Sequence, residues 1–150
     1  KSLSECARVL KSGGQFVQTL NLDTTMHEFY GIMSDILEQR NMPHEIKKMR
    51  EHIYKKRRPV AEITDLMKIL GFTDITIKED SFDYRFSDGS AMMEHFFIRL
   101  AFLEPWKEII PSEIRKDIFS SIEKKLNEKA AIDGHIKLTV PFAVIVCGFF

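Results

Sequence analysis

Cysteine, glycine and long apolar runs are scarce in this chain of 150 residues, and each scarcity excludes a class of chemistry. The two cysteines, Cys6 and Cys147, stand at opposite ends without a Cys-x-x-Cys pair, which predicts two reduced thiols in an intracellular protein rather than a disulfide scaffold. The seven glycines never fall as Gly-x-Gly, so neither a dinucleotide fingerprint nor a P-loop can be built. No Gly-x-Ser-x-Gly elbow occurs, and Asp88-Gly89-Ser90 reads as a turn running into a helix cap. His44-Glu45 begins a His-Glu-x-x-His helix whose second ligand position is Lys48, and no two of the five histidines are spaced i, i+3 or i, i+4; no metal site is expected. The longest apolar run, Phe142 to Phe150 with Gly148 inside it, is about half the ~18–20 residues that cross a bilayer, so no membrane association is expected. Lys1-Ser2-Leu3 opens without methionine or a charged-then-apolar leader, which predicts a cytoplasmic chain that belongs to something longer.

What is present suffices for one domain over residues 1–150, either a single domain or a half-domain. Hydrophobic residues make up 44% and aromatics 11%, and a chain of this size buries roughly 68–70% of its unfolded surface without needing a metal. Leu3, Cys6, Ala7 and Leu10 recur at helical spacing before Gly13-Gly14, a pair suited to ending a helix. Gln15 to Leu22 then reads as a strand. Phe29, Met33, Ile36 and Leu37 mark one helix, Ile46, Met49 and Ile53 a second, and Val60, Ile63, Leu66, Met67 and Leu70 a third that stops at Gly71. Ile75, Ile77, Phe82, Tyr84 and Phe86 alternate as in a half-buried strand. A helix capped by Ser90 follows and is apolar nearly all round, with Met93, Phe96, Phe97 and Leu100 on one face and Ile98 and Phe102 on the other. Pro111-Ser112 opens a long helix carrying Ile114, Ile118, Ile122 and Leu126, and Ile136 to Val146 form a last strand in which Pro141 suggests an edge or a bulge. Three strands and about six helices are an unusual ratio, because a doubly wound sheet distributes its helices over five or more strands.

The 22 basic and 22 acidic side chains cancel, so any charge-driven role must be local. One asymmetry exists: Lys47, Lys48, Arg50, Lys55, Lys56, Arg57 and Arg58 face only Glu45 and Glu51 across residues 45–58. It reads either as a solvated helix face or as an anion or nucleic-acid contact, with Tyr54 as its single aromatic where stacking recognition uses several. Met92, Met93, Phe96, Phe97, Phe102 and Trp106 form an apolar concentration that is either core or the wall of a hydrophobic-ligand pocket.

The segment Leu3 to Val17, LSECARVLKSGGQFV, resembles the E-x-x-R-V-L-K-P-G-G-x-hydrophobic signature of class I S-adenosylmethionine-dependent methyltransferases, with Ser12 in place of the proline. In that family the signature lies between the fourth and fifth strands. The later order is similar too: lid-like helices, a helix ending Leu70-Gly71-Phe72 before the strand Asp74 to Lys78, and a final hydrophobic strand. The resemblance therefore implies an α/β fold that is the C-terminal half of a Rossmann-like methyltransferase domain, a small mixed three-strand sheet in the family order five, seven, six.

It implies further that the cofactor, S-adenosylmethionine, is held by residues that would precede Lys1, so that a full-length parent transfers methyl groups to an acceptor the sequence does not identify. This chain alone is expected to bind no cofactor and to be inactive. Asn21, His27 and Tyr30, just after the fifth strand, lie where relatives face the substrate, and Phe96 lies in the lid region. The edge Gln15–Leu22, left without a fourth strand, predicts a homodimer through edge pairing or exchange of an element. The alternatives are a nucleic-acid or anion-binding module using residues 47–58 and a hydrophobic-ligand domain around Phe96, Phe97 and Trp106.

Overall fold

The first helix, α1 (Ser2–Val9), is followed by the turn at Gly13-Gly14. Gly13 takes φ +78°, a left-handed backbone that a side chain would strain. A Cβ on Gly14 would stand 2.8 Å from the Lys11 carbonyl oxygen, so glycine is required there on steric grounds. The turn delivers the chain into β1 (Gly14–Asn21), and the Gly13 N–H donates to the Phe149 carbonyl at 2.8 Å. A computed structural model describes residues 2–149; the outermost residue of the terminal apolar run, Phe150, lies outside the described residues.

The remaining elements are α2 (His27–Gln39), α3 (Pro43–Lys56), α4 (Val60–Ile69), β2 (Phe72–Phe86), α5 (Gly89–Glu94), α6 (Phe96–Ile98), a π-helical turn (Arg99–Leu103), α7 (Glu104–Ile109), α8 (Ser112–Asp133) and β3 (Ile136–Phe149). The fold is α/β with one three-stranded antiparallel sheet in the order β1-β3-β2. The last strand in sequence thus lies between the other two, the order expected for strands five, seven and six. β1 pairs with β3 in unbroken register from Gly14↔Phe149 to Asn21↔Phe142.

The expectation that Pro141 marks an edge does not hold, since β3 is the central strand. The position of the proline explains the tolerance. It stands just beyond the last β1 pair, where its carbonyl accepts from the Leu22 N–H at 2.8 Å, a bond that needs no proline N–H.

The chain forms two compact units. One comprises residues 1–25, 53–82 and 140–150. Its core is Met67, Phe72, Ile145 and Cys147, against which Leu3, Cys6 and Leu10 of the first helical segment, Phe16 and Leu20 of β1, and Val60 and Ile63 of α4 pack. Phe72 anchors this cluster through rings 5.3 Å from Phe16 and 5.5 Å from Phe149. Burying an aromatic or a large aliphatic side chain contributes about 1.5–3 kcal/mol, so these few residues hold the helices to one face of the sheet. Leu66 departs from its expected stripe and is 38% exposed, while Thr64 takes the buried phase and caps its own hydroxyl on the Ala61 carbonyl at 2.9 Å. β2 alternates less than expected: Ile77 and Phe82 are exposed, as an edge strand allows.

The other unit comprises residues 26–52 and 83–139. Phe29, Met33, Ile36 and Leu37 of α2 are buried, as are Ile118, Ile122, Leu126 and Ala130 of α8 at the spacing of one helix face. Trp106 is fully buried and stacks on Phe29 at 3.8 Å and 19°. The Arg40 guanidinium pairs with Asp117 and donates to the Ser121 hydroxyl at 3.0 Å, tying α2 to α8; this contact holds the Asp117 carboxyl below its usual range.

Two details of the aromatic stretch differ from expectation. The cap is Asp88, whose carboxylate accepts from the Ala91 N–H at 2.7 Å, and Ser90 lies inside α5. The single apolar helix is broken at His95, which is extended, and resumes through a π turn. The wider turn lengthens the repeat by one residue. Phe97 and Phe102, five apart, therefore meet at 5.3 Å, and Phe102 continues to Trp106 at 5.4 Å. Phe96 and Leu100 fall on the outside, which accounts for a segment that reads as apolar all round.

Candidate functional site

The turn that leaves β1 carries the residues singled out as facing a substrate. Asn21 forms the last β1 pair and is exposed. In the unit that begins at Met26, that residue adopts φ 58° although it is not glycine, and it is 1% exposed. A left-handed non-glycine residue costs roughly 1–2 kcal/mol, so surrounding contacts must hold it. The Met26 N–H donates to the Thr139 carbonyl at 2.7 Å, and Glu28 accepts from the Thr139 N–H at 3.0 Å and from its hydroxyl. Thr139 is gripped at donor and acceptor alike.

That grip sets the neighbours. His27 projects with its side chain 61% exposed, its Nε2 3.6 Å from the Glu28 carboxylate. Tyr30 points inward, where its hydroxyl accepts from the Trp106 indole at 3.0 Å. Phe96 is 75% exposed. Asn21 belongs to one unit and His27, Tyr30 and Phe96 to the other. Trp106, proposed with Phe96 and Phe97 as a pocket wall, is committed to packing. Among the described residues no group of three His, Cys, Asp or Glu is placed to hold a metal ion, and no helix is long and apolar enough to cross a membrane.

A second constellation lies wholly within the unit that contains the sheet core. A cleft of about 670 Å³ is lined by Ser2, by Gln18, Leu20 and Asn21 of β1, by Lys55 to Arg58 at the end of α3, and by Ile63 of α4. The Gln18 side-chain oxygen is buried there with no hydrogen-bond partner. Arg58 stands 5.8 Å over the Tyr54 ring, whose hydroxyl donates to Glu62 at 2.7 Å; that bond raises the phenol above its ordinary pKa. Reasoning from sequence found the cations and Asn21 but missed Gln18. The signal was available, because Gln18 occupies the inward phase between Phe16 and Leu20 and is the polar residue of that face.

The two thiols are free, with Cys6 half-buried. Cys147 is 2% exposed, and burial pushes its pKa up. An uncharged, enclosed thiol is a weak nucleophile, so Cys147 acts as a core residue.

No protein-family model matches the chain, and no curated protein matches it. Among solved structures it is similar to Haemonchus contortus phospholethanolamine N-methyltransferase 2 in complex with phosphomonomethylethanolamine and S-adenosylhomocysteine, at 15% identity and a TM-score of 0.36. That likeness covers 98% of this chain and 29% of the other, so the chain spans less than a third of the length of the protein it resembles.

Proposed function

We propose that this chain is the substrate-side half of a class I S-adenosylmethionine-dependent methyltransferase domain, with the cofactor held by a preceding half in a longer cytoplasmic protein. The observation that supports this reading is the sheet. A helix and glycine turn bearing the family signature lead into β1, and the last strand inserts between β1 and β2. In such a domain methyl transfer is an in-line displacement governed by positioning and desolvation. The residues after β1 would then shape the acceptor side.

The test compares this chain with one extended upstream in its own reading frame, by calorimetric titration with S-adenosylhomocysteine. The extended chain is expected to bind in the micromolar range and the 150-residue chain to give no heat. Micromolar binding by the short chain, or none by the extended one, defeats the reading.

The outer edge of β1 bears on the same reading. β1 is bonded on one side to β3, and Val17 on the strand is 55% exposed. Unpaired edges recruit strands. In the parent the fourth strand would fill this edge; for the isolated chain we expect a second copy to do so, giving twice the monomer mass in light scattering and slow hydrogen exchange at the β1 amides. A clean monomer with freely exchanging β1 amides would count against it.

A further inference from the structure

We propose that the basic cleft between β1 and the end of α3 is a binding site for the phosphate of a small phosphorylated molecule, a function that does not depend on the methyltransferase reading.

Four consecutive cations, Lys55, Lys56, Arg57 and Arg58, line it. Their Cα atoms fall within about 11 Å of one another at 3.8 Å per peptide, comparable to the distance over which salt screens charge at physiological strength, so they act on a ligand together. Several cations elsewhere are paired locally, as in Lys47 with Glu51, Lys68 with Asp65 and Lys129 with Asp133. Among the described residues Lys55, Lys56 and Arg57 have no carboxylate within ion-pair distance. Glu62 accepts from the Tyr54 hydroxyl at 2.7 Å, which leaves four cations against this one carboxylate. In a chain of zero net charge this is a focused positive potential.

Favourable charge at a helix C-terminus accounts for Lys55 and Lys56 alone. It does not account for Arg58, beyond the helix end, nor for the concavity, nor for Gln18. An amide oxygen buried without a partner costs about 1–3 kcal/mol. Gln18 is therefore a polar group the fold leaves unsatisfied on the wall of a cleft rich in cations. A phosphate monoester fits this lining: its dianion accepts from the guanidinium forks, and the Gln18 side-chain amide on the cleft wall faces the rest of the same small molecule.

The shape favours a small ligand over a nucleic-acid strand. The volume, about 670 Å³, lies in the range of small-molecule sites. A strand would need a track of cations with stacked aromatics, whereas Tyr54 holds Arg58 and Glu62.

The experiment is an NMR-detected titration of the chain with glycerol phosphate, with inorganic phosphate and with glycerol. Saturable shifts are expected for the amides of Gln18 to Asn21 and Lys55 to Arg58 with both phosphates, and none with glycerol. The double variant R57Q/R58Q should weaken binding by at least about tenfold, whereas K47Q/K48Q, with the same loss of charge but outside the cleft lining, should stay within about twofold. Gln18→Leu separates a ligand role from a structural one. Removing an unsatisfied buried acceptor should raise the melting temperature while binding of glycerol phosphate weakens. Because wild-type shifts are mapped directly, the test survives a variant that fails to fold. Equal losses in both double variants, shifts elsewhere, or unchanged binding in Gln18→Leu would overturn the proposal. So would binding of a single-stranded oligonucleotide, or of phosphatidylcholine vesicles carrying phosphatidate, where glycerol phosphate leaves the amides unmoved.

Discussion

Trp106→Ala is expected to destabilise the helical unit by roughly 3–5 kcal/mol, the cost of emptying a large aromatic site that its surroundings cannot refill. The indole is fully buried. It stacks on Phe29 at 3.8 Å, meets Tyr30 edge-on at 6.2 Å and Phe102 at 5.4 Å, and its N–H donates to the Tyr30 hydroxyl at 3.0 Å. Truncation therefore leaves a cavity, removes three ring contacts and takes a partner from a buried phenol. Domains of this size have a total stability of about 5–15 kcal/mol, so the loss is a large fraction of what is available. Urea denaturation followed by circular dichroism reads it. Trp106→Phe keeps ring packing and loses the hydrogen bond, and should cost less than half as much. An alanine variant with an unchanged midpoint would show that the aromatic stack does not hold this unit together.

Gly89→Ala is the second large effect, and its sign runs against helix propensity. In an exposed helix the change gains up to about 1 kcal/mol. At Gly89 the new Cβ would stand 2.5 Å from the Leu126 Cβ, 3.0 Å from the Glu123 carbonyl oxygen and 3.0 Å from the Asn127 side-chain oxygen. A Cβ is fixed to the backbone, so relief requires α5 to back away from α8. That movement breaks a tight set of bonds: Asn127 accepts from the Gly89 N–H at 2.7 Å and the Ser90 N–H at 3.2 Å, and the Ser90 hydroxyl donates to Glu123 at 2.6 Å. Overpacking of this kind costs about 1–3 kcal/mol before the lost bonds are counted. A lower melting temperature is expected for Gly89→Ala. A higher one is expected for Gly31→Ala, in α2, where a Cβ would meet nothing within 4 Å. Equal shifts of the same sign at the two positions would mean that α5 does not lie against α8 as described.

Patterns within single elements were legible in the sequence because they depend on chemistry a few residues away. The stripe Phe29, Met33, Ile36 and Leu37 is the buried face of α2, and Ile118, Ile122 and Leu126 that of α8. The Gly13-Gly14 stop lies where the left-handed turn is needed. Departures occur where a residue's environment comes from distant chain. Pro141 looks like an edge residue until the end of the β1 ladder is seen to use its carbonyl. Ser90 looks like a cap until Asp88 takes that role and Asn127, 37 positions away, engages Ser90 instead. Leu66 looks buried until β-sheet and helix packing leave it on the outer side of α4.

The candidate site divides in the same way. The run of cations from Lys55 to Arg58 was visible as a charge asymmetry, yet a solvated face and an anion site have identical sequences. Concavity and an unsatisfied Gln18 are features the sequence does not show, and both arise only when β1 is brought beside the end of α3. Tyr30, singled out by its position just after β1, accepts from the Trp106 indole inside the core, a contact no local pattern announces.

By itself the sequence determined most of the elements and their buried faces, because helical and strand periodicities and glycine turns are local properties; the strand order was expected only from the resemblance of its opening to a family signature. Only the tertiary structure decided which polar groups are satisfied, where the aromatic stretch changes phase, and which cations share a cleft. Those outcomes depend on hydrogen-bond partners and packing neighbours supplied by residues far away along the chain.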